Sequence, residues 1–149
     1  VQISYPKREE EKQIIRDMMK IETLQIKSVI SIQDLLEARE LVRQVYLDEK
    51  IEKYIVDIVF ATREPEASGL GELTSLISFG ASPRASLALA LAARAYAFIQ
   101  GRAYVIPEDV RAICYDVLRH RIGLSYEAEA LGQSSEDIIR SILNRVEVP

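Results

Sequence analysis

The chain has 149 residues, a formal net charge of -4 and 48% hydrophobic residues, a composition that supports one packed domain and excludes global disorder. Charges of both signs are interspersed, so the basic stripe of a nucleic-acid surface is missing. No apolar run reaches the length of a bilayer span, and no signal peptide is expected. A single cysteine, Cys114, allows neither a disulfide framework nor a thiolate metal cluster, and a cytoplasmic location is expected.

Val1, Ile3 and Tyr5 alternate with Gln2 and Ser4, the pattern of a half-buried strand. No second strong strand follows, so this opening reads as the last edge of a sheet whose other strands lie upstream. Helical periodicity then takes over. The first helix is expected near 7–20, with Glu9, Glu10 and Glu11 at its N-terminus and Ile14, Ile15, Met18, Met19 and Ile21 buried. Ser31 and Asp34 form a capping-box pattern ahead of a second helix near 33–46, whose Leu35, Ala38, Leu41, Val42 and Val45 share a face. Asp48 caps a third near 48–62, carrying Ile51, Tyr54, Ile55, Ile58 and Val59. All three read as amphipathic helices of one bundle.

Residues 64–82 break the pattern with Pro65, Ser68, Gly69, Gly71 and Gly80, yet Leu70, Leu73, Leu76, Ile77 and Phe79 are too apolar for a free linker. An ordered loop packed on the bundle and ending in a turn at Gly80 is expected; loops this long are often functional. The next helix, 83–100, is apolar nearly all round apart from Arg84, Arg94 and its last residue, which places it at the centre of the bundle, and Gly101 is a natural stop. Pro107 opens a helix near 107–120 with Val110, Ile113, Cys114, Val117 and Leu118 facing inward. Ile106 occupies its cap position, giving up about 1 kcal/mol. Arg119, His120 and Arg121 crowd its last turn, where cations suit the helix dipole. Ser134 and Asp137 cap a final helix near 135–146 bearing Ile138, Ile139, Ile142, Leu143 and Val146.

Ser82-Pro83-Arg84 is the chemically informative stretch. Ser82 is a good N-cap and Pro83 fits the first helical position, where a missing N–H costs nothing. Arg84 then falls in the first turn, where a cation costs about 0.3–1 kcal/mol. A guanidinium beside unpaired backbone N–H groups is a ready site for phosphate oxygens. On chemistry alone, a solvated or acid-paired arginine stands equally well.

The stretch Gly80-Ala-Ser-Pro-Arg84-Ala-Ser86, followed by Gly101-Arg-Ala-Tyr-Val105, Pro107-Glu-Asp-Val110 and Leu118-Arg-His-Arg121, resembles the C-terminal part of MoxR-family AAA+ ATPases. Tyr5-Pro6-Lys7-Arg8-Glu9-Glu10-Glu11 resembles the segment that leaves the family's nucleotide-binding core and enters its helical lid. The resemblance covers nearly the whole chain, in order, and implies an all-α lid: residues 1–6 as the end of the core, a short strand remnant, and 7–149 as the lid bundle. It also implies that Arg84 is the sensor-2 residue that contacts the phosphates of ATP. The intact protein would use ATP and Mg in a ring-shaped oligomer that remodels or matures partner proteins, often ones with von Willebrand A-type domains. The lid would meet the AAA+ core of its own protein and neighbouring subunits. No Gly-x-x-x-x-Gly-Lys-Ser/Thr occurs, and Lys50 and Lys53 follow no glycine loop, so the phosphate cradle and the Mg-binding acids would lie upstream of residue 1. The chain by itself is expected to be inactive and to bind no cofactor.

The remaining candidates have plainer readings. His120, without acidic or cysteine partners at ligand spacing, is a helix-end cation or packing residue, and Cys114 is inert core. Arg63 ends a helix; Arg94 is expected to pair with a carboxylate; neither is assigned to the site. Two alternatives stay open: a helical adaptor that never meets nucleotide, and the lid of a magnesium-chelatase-like AAA+ subunit. An exposed apolar groove, with Arg84 paired to an acid away from any cleft, would favour the adaptor.

Overall fold

A computed structural model describes residues 4–20 and 27–149 of the chain. It is 61% helical. The described elements are α1 (Arg8–Met18), α2 (Ile32–Gln44), α3 (Glu49–Ala61), a 3-10 turn (Gly71–Leu73), β1 (Ile77–Phe79), α4 (Pro83–Ile99), α5 (Pro107–Leu118), β2 (Gly123–Leu124), α6 (Tyr126–Ala130) and α7 (Ser135–Arg145). Two compact units divide the chain, residues 1–36 and 37–149. The expected opening strand covers Val1–Tyr5; Val1–Ile3 and the expected core residue Ile21 lie outside the described residues, while Ser4 and Tyr5 are not in a strand and Tyr5 is exposed.

In the first unit, α1 is an amphipathic helix held by local charge pairs such as Lys12 with Glu9 at 2.8 Å. Its expected inward face is not buried: Ile14, Ile15, Met18 and Met19 are all exposed. α2, most of which belongs to the second unit, likewise has no buried residue. Leu35 and Leu41 stay half exposed, and burial begins with Val45, just beyond its end. Among the described residues, α1 and α2 thus contribute no buried side chain, whereas α3 does.

The second unit carries the core. α3 is capped by Asp48, whose side chain accepts from the Lys50 amide at 2.9 Å, and it buries Ile51, Tyr54, Ile55, Ile58, Val59 and Ala61. α7 is capped by the Ser134–Asp137 box and contributes Ile138, Ile139, Ile142 and Leu143. α4 packs mainly on α5 and α3, and α5 also meets α7. α4 is not enclosed on all sides. It buries the stripe Ala85, Leu89, Ala93 and Ala97 and leaves Leu87, Leu91 and Ile99 exposed. Composition alone could not choose between its faces, because both are apolar; the small residues took the close contact. Gly101, at φ 72°, ends the helix as expected, with Arg102 N–H donating to Ala97 O and Gly101 N–H to Phe98 O, each 2.9 Å.

Ile106 provides no side-chain cap for α5. The buried Asp109 carboxylate takes over: it accepts from the Ile106 amide at 3.0 Å and from both terminal nitrogens of Arg102. One carboxylate thus joins the exit of α4 to the entry of α5. Residues 64–82 are more ordered than a packed loop. β1 pairs antiparallel with β2, Ile77 opposite Leu124 and Phe79 opposite Gly123, with a register irregularity between. Phe79 itself is exposed, against expectation; its ring lies over Gly123, where an added Cβ would fall 2.2 Å from it.

Leu89→Ala should lower unfolding free energy by about 2–5 kcal/mol in a denaturant titration, since Leu89 is the one large side chain in the buried α4 stripe. Burial pushes the Cys114 thiol up to about 12, so a thiol reagent at neutral pH should label it only as the domain unfolds.

Candidate functional site

The start of α4 is built on the end of α3. Thr62 caps α3, and its buried hydroxyl donates to Val59 O at 2.7 Å while accepting from the Ala81 amide at 2.9 Å. Gly80 lies directly on that helix end, where a Cβ would sit 2.3 Å from Thr62 O. Close approach, not a left-handed turn, is why position 80 takes glycine; the positive-φ glycines are Gly69, Gly101 and Gly132.

Ser82 occupies the N-cap position with extended backbone and Pro83 the first helical position, as expected. The Ser82 hydroxyl makes no cap hydrogen bond, and only its carbonyl engages, accepting from the Ala85 amide at 2.8 Å. The first turn contains no acidic residue. Arg84 is exposed and makes no hydrogen bond or ion pair with the described residues. Its guanidinium is therefore open, beside helix-terminal N–H groups that no side chain caps.

Of the two arginines left unassigned, Arg63 adjoins the same corner. Its guanidinium carbon stands 4.3 Å from the centre of the Phe60 ring, and its Cγ would be 2.7 Å from a Cβ at Gly80. Arg94 does not pair with a carboxylate among the described residues, contrary to expectation; its Nε is buried without a partner. Its position on a helix lacking acids leaves it no carboxylate one turn away. At the end of α5, Arg119 reaches Tyr115 O at 3.0 Å and Glu136 at 3.0 Å, while Arg121 turns back to Val117 O, so both serve the helix terminus as expected. His120 is exposed against Arg121. Among the described residues no cluster of His, Cys, Asp and Glu suits a metal ion, and no helix is long and apolar enough to cross a membrane. Thr62 and the Arg102–Asp109 pair escaped the sequence reading. Only the 101–110 match, which contains both members of the pair, hinted at the second.

Arg84, Leu87 and Leu91 follow the i, i+3, i+7 spacing of one helix face, and both leucines are about two-thirds exposed, at 66% and 60%. The open cation thus heads an apolar strip. At the opposite end of α4 a groove of about 390 Å³ is lined by Leu41, Val45, Phe98 and Arg102.

A family described as the AAA lid domain matches residues 73–142, which include β1 and the whole of α4 but not Thr62 or Arg63. The full chain is 42% identical to "Chaperone MoxR1" of Mycobacterium tuberculosis, covering 100% of this chain and 39% of that protein. Residues 73–142 thus match an AAA lid domain, and the chain over its whole length is similar to a MoxR chaperone. It is also 36% identical to an uncharacterized Bacillus subtilis protein, YeaC, over 100% of this chain and 44% of that one. The crystal structure of a candidate ATPase from Cytophaga hutchinsonii superposes with a TM-score of 0.87 at 41% identity, covering 99% of this chain and 45% of the other. The chain spans about two-fifths of the length of these two relatives.

Arg84→Ala should leave this lid folded. Removing an unpaired cation from the positive end of α4 relieves about 0.3–1 kcal/mol, so the melting temperature should hold or rise slightly in calorimetry.

Proposed function

We propose that this chain is the C-terminal lid of a MoxR-type AAA+ ATPase and that Arg84 contacts the phosphates of bound ATP. The observation that carries the reading is an exposed arginine with no partner among the described residues, set in a helix first turn that contains no acid. An uncompensated cation at that place is unfavourable in the lid alone and becomes favourable when an anion arrives. The 149 residues fit one part of a nucleotide site, the free guanidinium and adjacent N–H groups. They contain neither the glycine-rich cradle nor the magnesium-holding acids of a P-loop enzyme.

The apolar strip of Leu87 and Leu91 beside Arg84 supports docking of the ATP-binding core on the same face of α4. ATP would draw Arg84 and that face towards the core, and hydrolysis would weaken the contact. Coupling requires this difference between the ATP and ADP states. In the ring-shaped oligomer of the intact ATPase, such motion would remodel or mature partner proteins, von Willebrand A-type domain proteins among them. The groove at the far end of α4 favours a second reading, a helical adaptor, but an adaptor gives no role to an unpaired Arg84.

In the intact ATPase, Arg84→Ala should lower ATP turnover by about tenfold or more while changing ADP affinity less, because a sensor arginine matters most where charge gathers on the terminal phosphate. Arg84→Lys should recover part of that activity, since an ammonium lacks the two-pronged planar donor. Steady-state hydrolysis and ADP calorimetry on the three proteins check this; full wild-type turnover with alanine would move the adaptor to the front. The 149-residue chain alone should show no steady ATP turnover, and micromolar ATP binding by it would contradict the missing cradle.

A further inference from the structure

Arg84 has a long side chain with many rotamers, so its reach is defined only if the backbone that launches it is fixed. The residue expected to fix that start, Ser82, makes no side-chain cap bond. The tie comes instead from the preceding helix. Thr62 is 1% exposed, and its one hydroxyl is used twice, as donor to Val59 O and as acceptor for the Ala81 N–H. Ala81 is itself fully buried, so no water can replace that acceptor. Between Ala81 and Arg84 stand only Ser82 and Pro83, and the proline ring fixes φ at one of those two positions. Gly80 holds the loop flush against the Thr62 carbonyl.

We infer that Thr62 is the positioning residue for Arg84: its hydroxyl locks the end of α3 to the backbone from which the arginine springs. The inference rests on the nucleotide-sensing reading of Arg84. A valine at position 62 keeps the shape of threonine but can neither donate to Val59 nor accept from Ala81, whereas a serine keeps both bonds and loses only a methyl group.

The test is a double-mutant cycle in the full-length ATPase, reading kcat, ADP affinity and melting temperature for T62V, R84A, the double variant and T62S. T62V should lower kcat about ten- to a hundredfold, the scale expected of an ångström-sized misplacement, and T62S should stay within about threefold of wild type because the hydroxyl persists. In the R84A background, T62V should change kcat by less than about twofold, since both substitutions then disable one device. Losses that multiply independently overturn the inference, because they assign Thr62 a general structural role. A T62S loss equal to that of T62V also overturns it. Should T62V not fold, T62A carries the same comparison. Wild-type turnover by R84A would overturn the sensor reading, and the Thr62 inference with it. Wild-type turnover by T62V beside an impaired R84A would overturn the Thr62 inference alone.

Discussion

The stripe Ala85, Leu89, Ala93 and Ala97 sets the distance at which α4 lies against α3 and α5. Three of its four members end at Cβ, so the helix backbones can come close and the contact tolerates little added volume. Everything that positions Arg84 depends on this contact. Because Ala85 is fully buried one residue beyond the arginine, the rotation of α4 about its own axis is fixed, and Arg84 must face outward. The Thr62 bond to Ala81 then fixes the start of α4, and the Asp109 carboxylate fixes its departure through Arg102 and Ile106.

Within this well-satisfied frame, the first turn of α4 breaks the rules followed elsewhere in the domain. α3, α5 and α7 all carry acids in their first turns, and α3 and α7 have side-chain caps. α4 has an arginine, no acid and an idle Ser82 hydroxyl. Local inconsistency of this kind concentrates at functional positions, where a stabilising choice is given up for a ligand. Arg94, with its buried unpartnered Nε, is a second departure on the same helix. The exposed Leu87–Leu91 strip adds a third, an apolar surface adjoining the open cation.

Much of this was legible in the sequence. The expected helix 83–100 is observed as Pro83–Ile99, and 107–120 as Pro107–Leu118, because proline starts and a glycine stop are strong local signals. Arg84 was legible for the same reason: its place relative to Ser82 and Pro83 is a matter of counting. Burial of whole faces was less accessible. The pattern of α1 names an apolar side but not what covers it, and the two apolar sides of α4 read alike until its neighbours choose one. Ile77–Phe79 is too short for periodicity to register, and its partner Gly123–Leu124 lies far along the chain. Ser125 capping the five-residue α6 was missed for similar reasons of length. The Thr62 bond spans 19 positions between two residues with no distinctive pattern; only three-dimensional adjacency reveals it.

With 17 residues, α4 is about 25 Å long, and its two ends have different company. Arg84 stands at one, while the other leads through Gly101 into the Arg102–Asp109 pair and the groove lined by Leu41 and Phe98. A rod of that length pivoting by about 5° at its arginine end sweeps about 2 Å at the far end. That is enough to reshape a groove of side-chain dimensions. The close alanine contact with α5, clamped by Asp109 at the exit, couples the far end of α4 to α5. If Arg84 meets phosphate as proposed, a small rotation at that end would reach the opposite pole of the lid as a displacement of side-chain size.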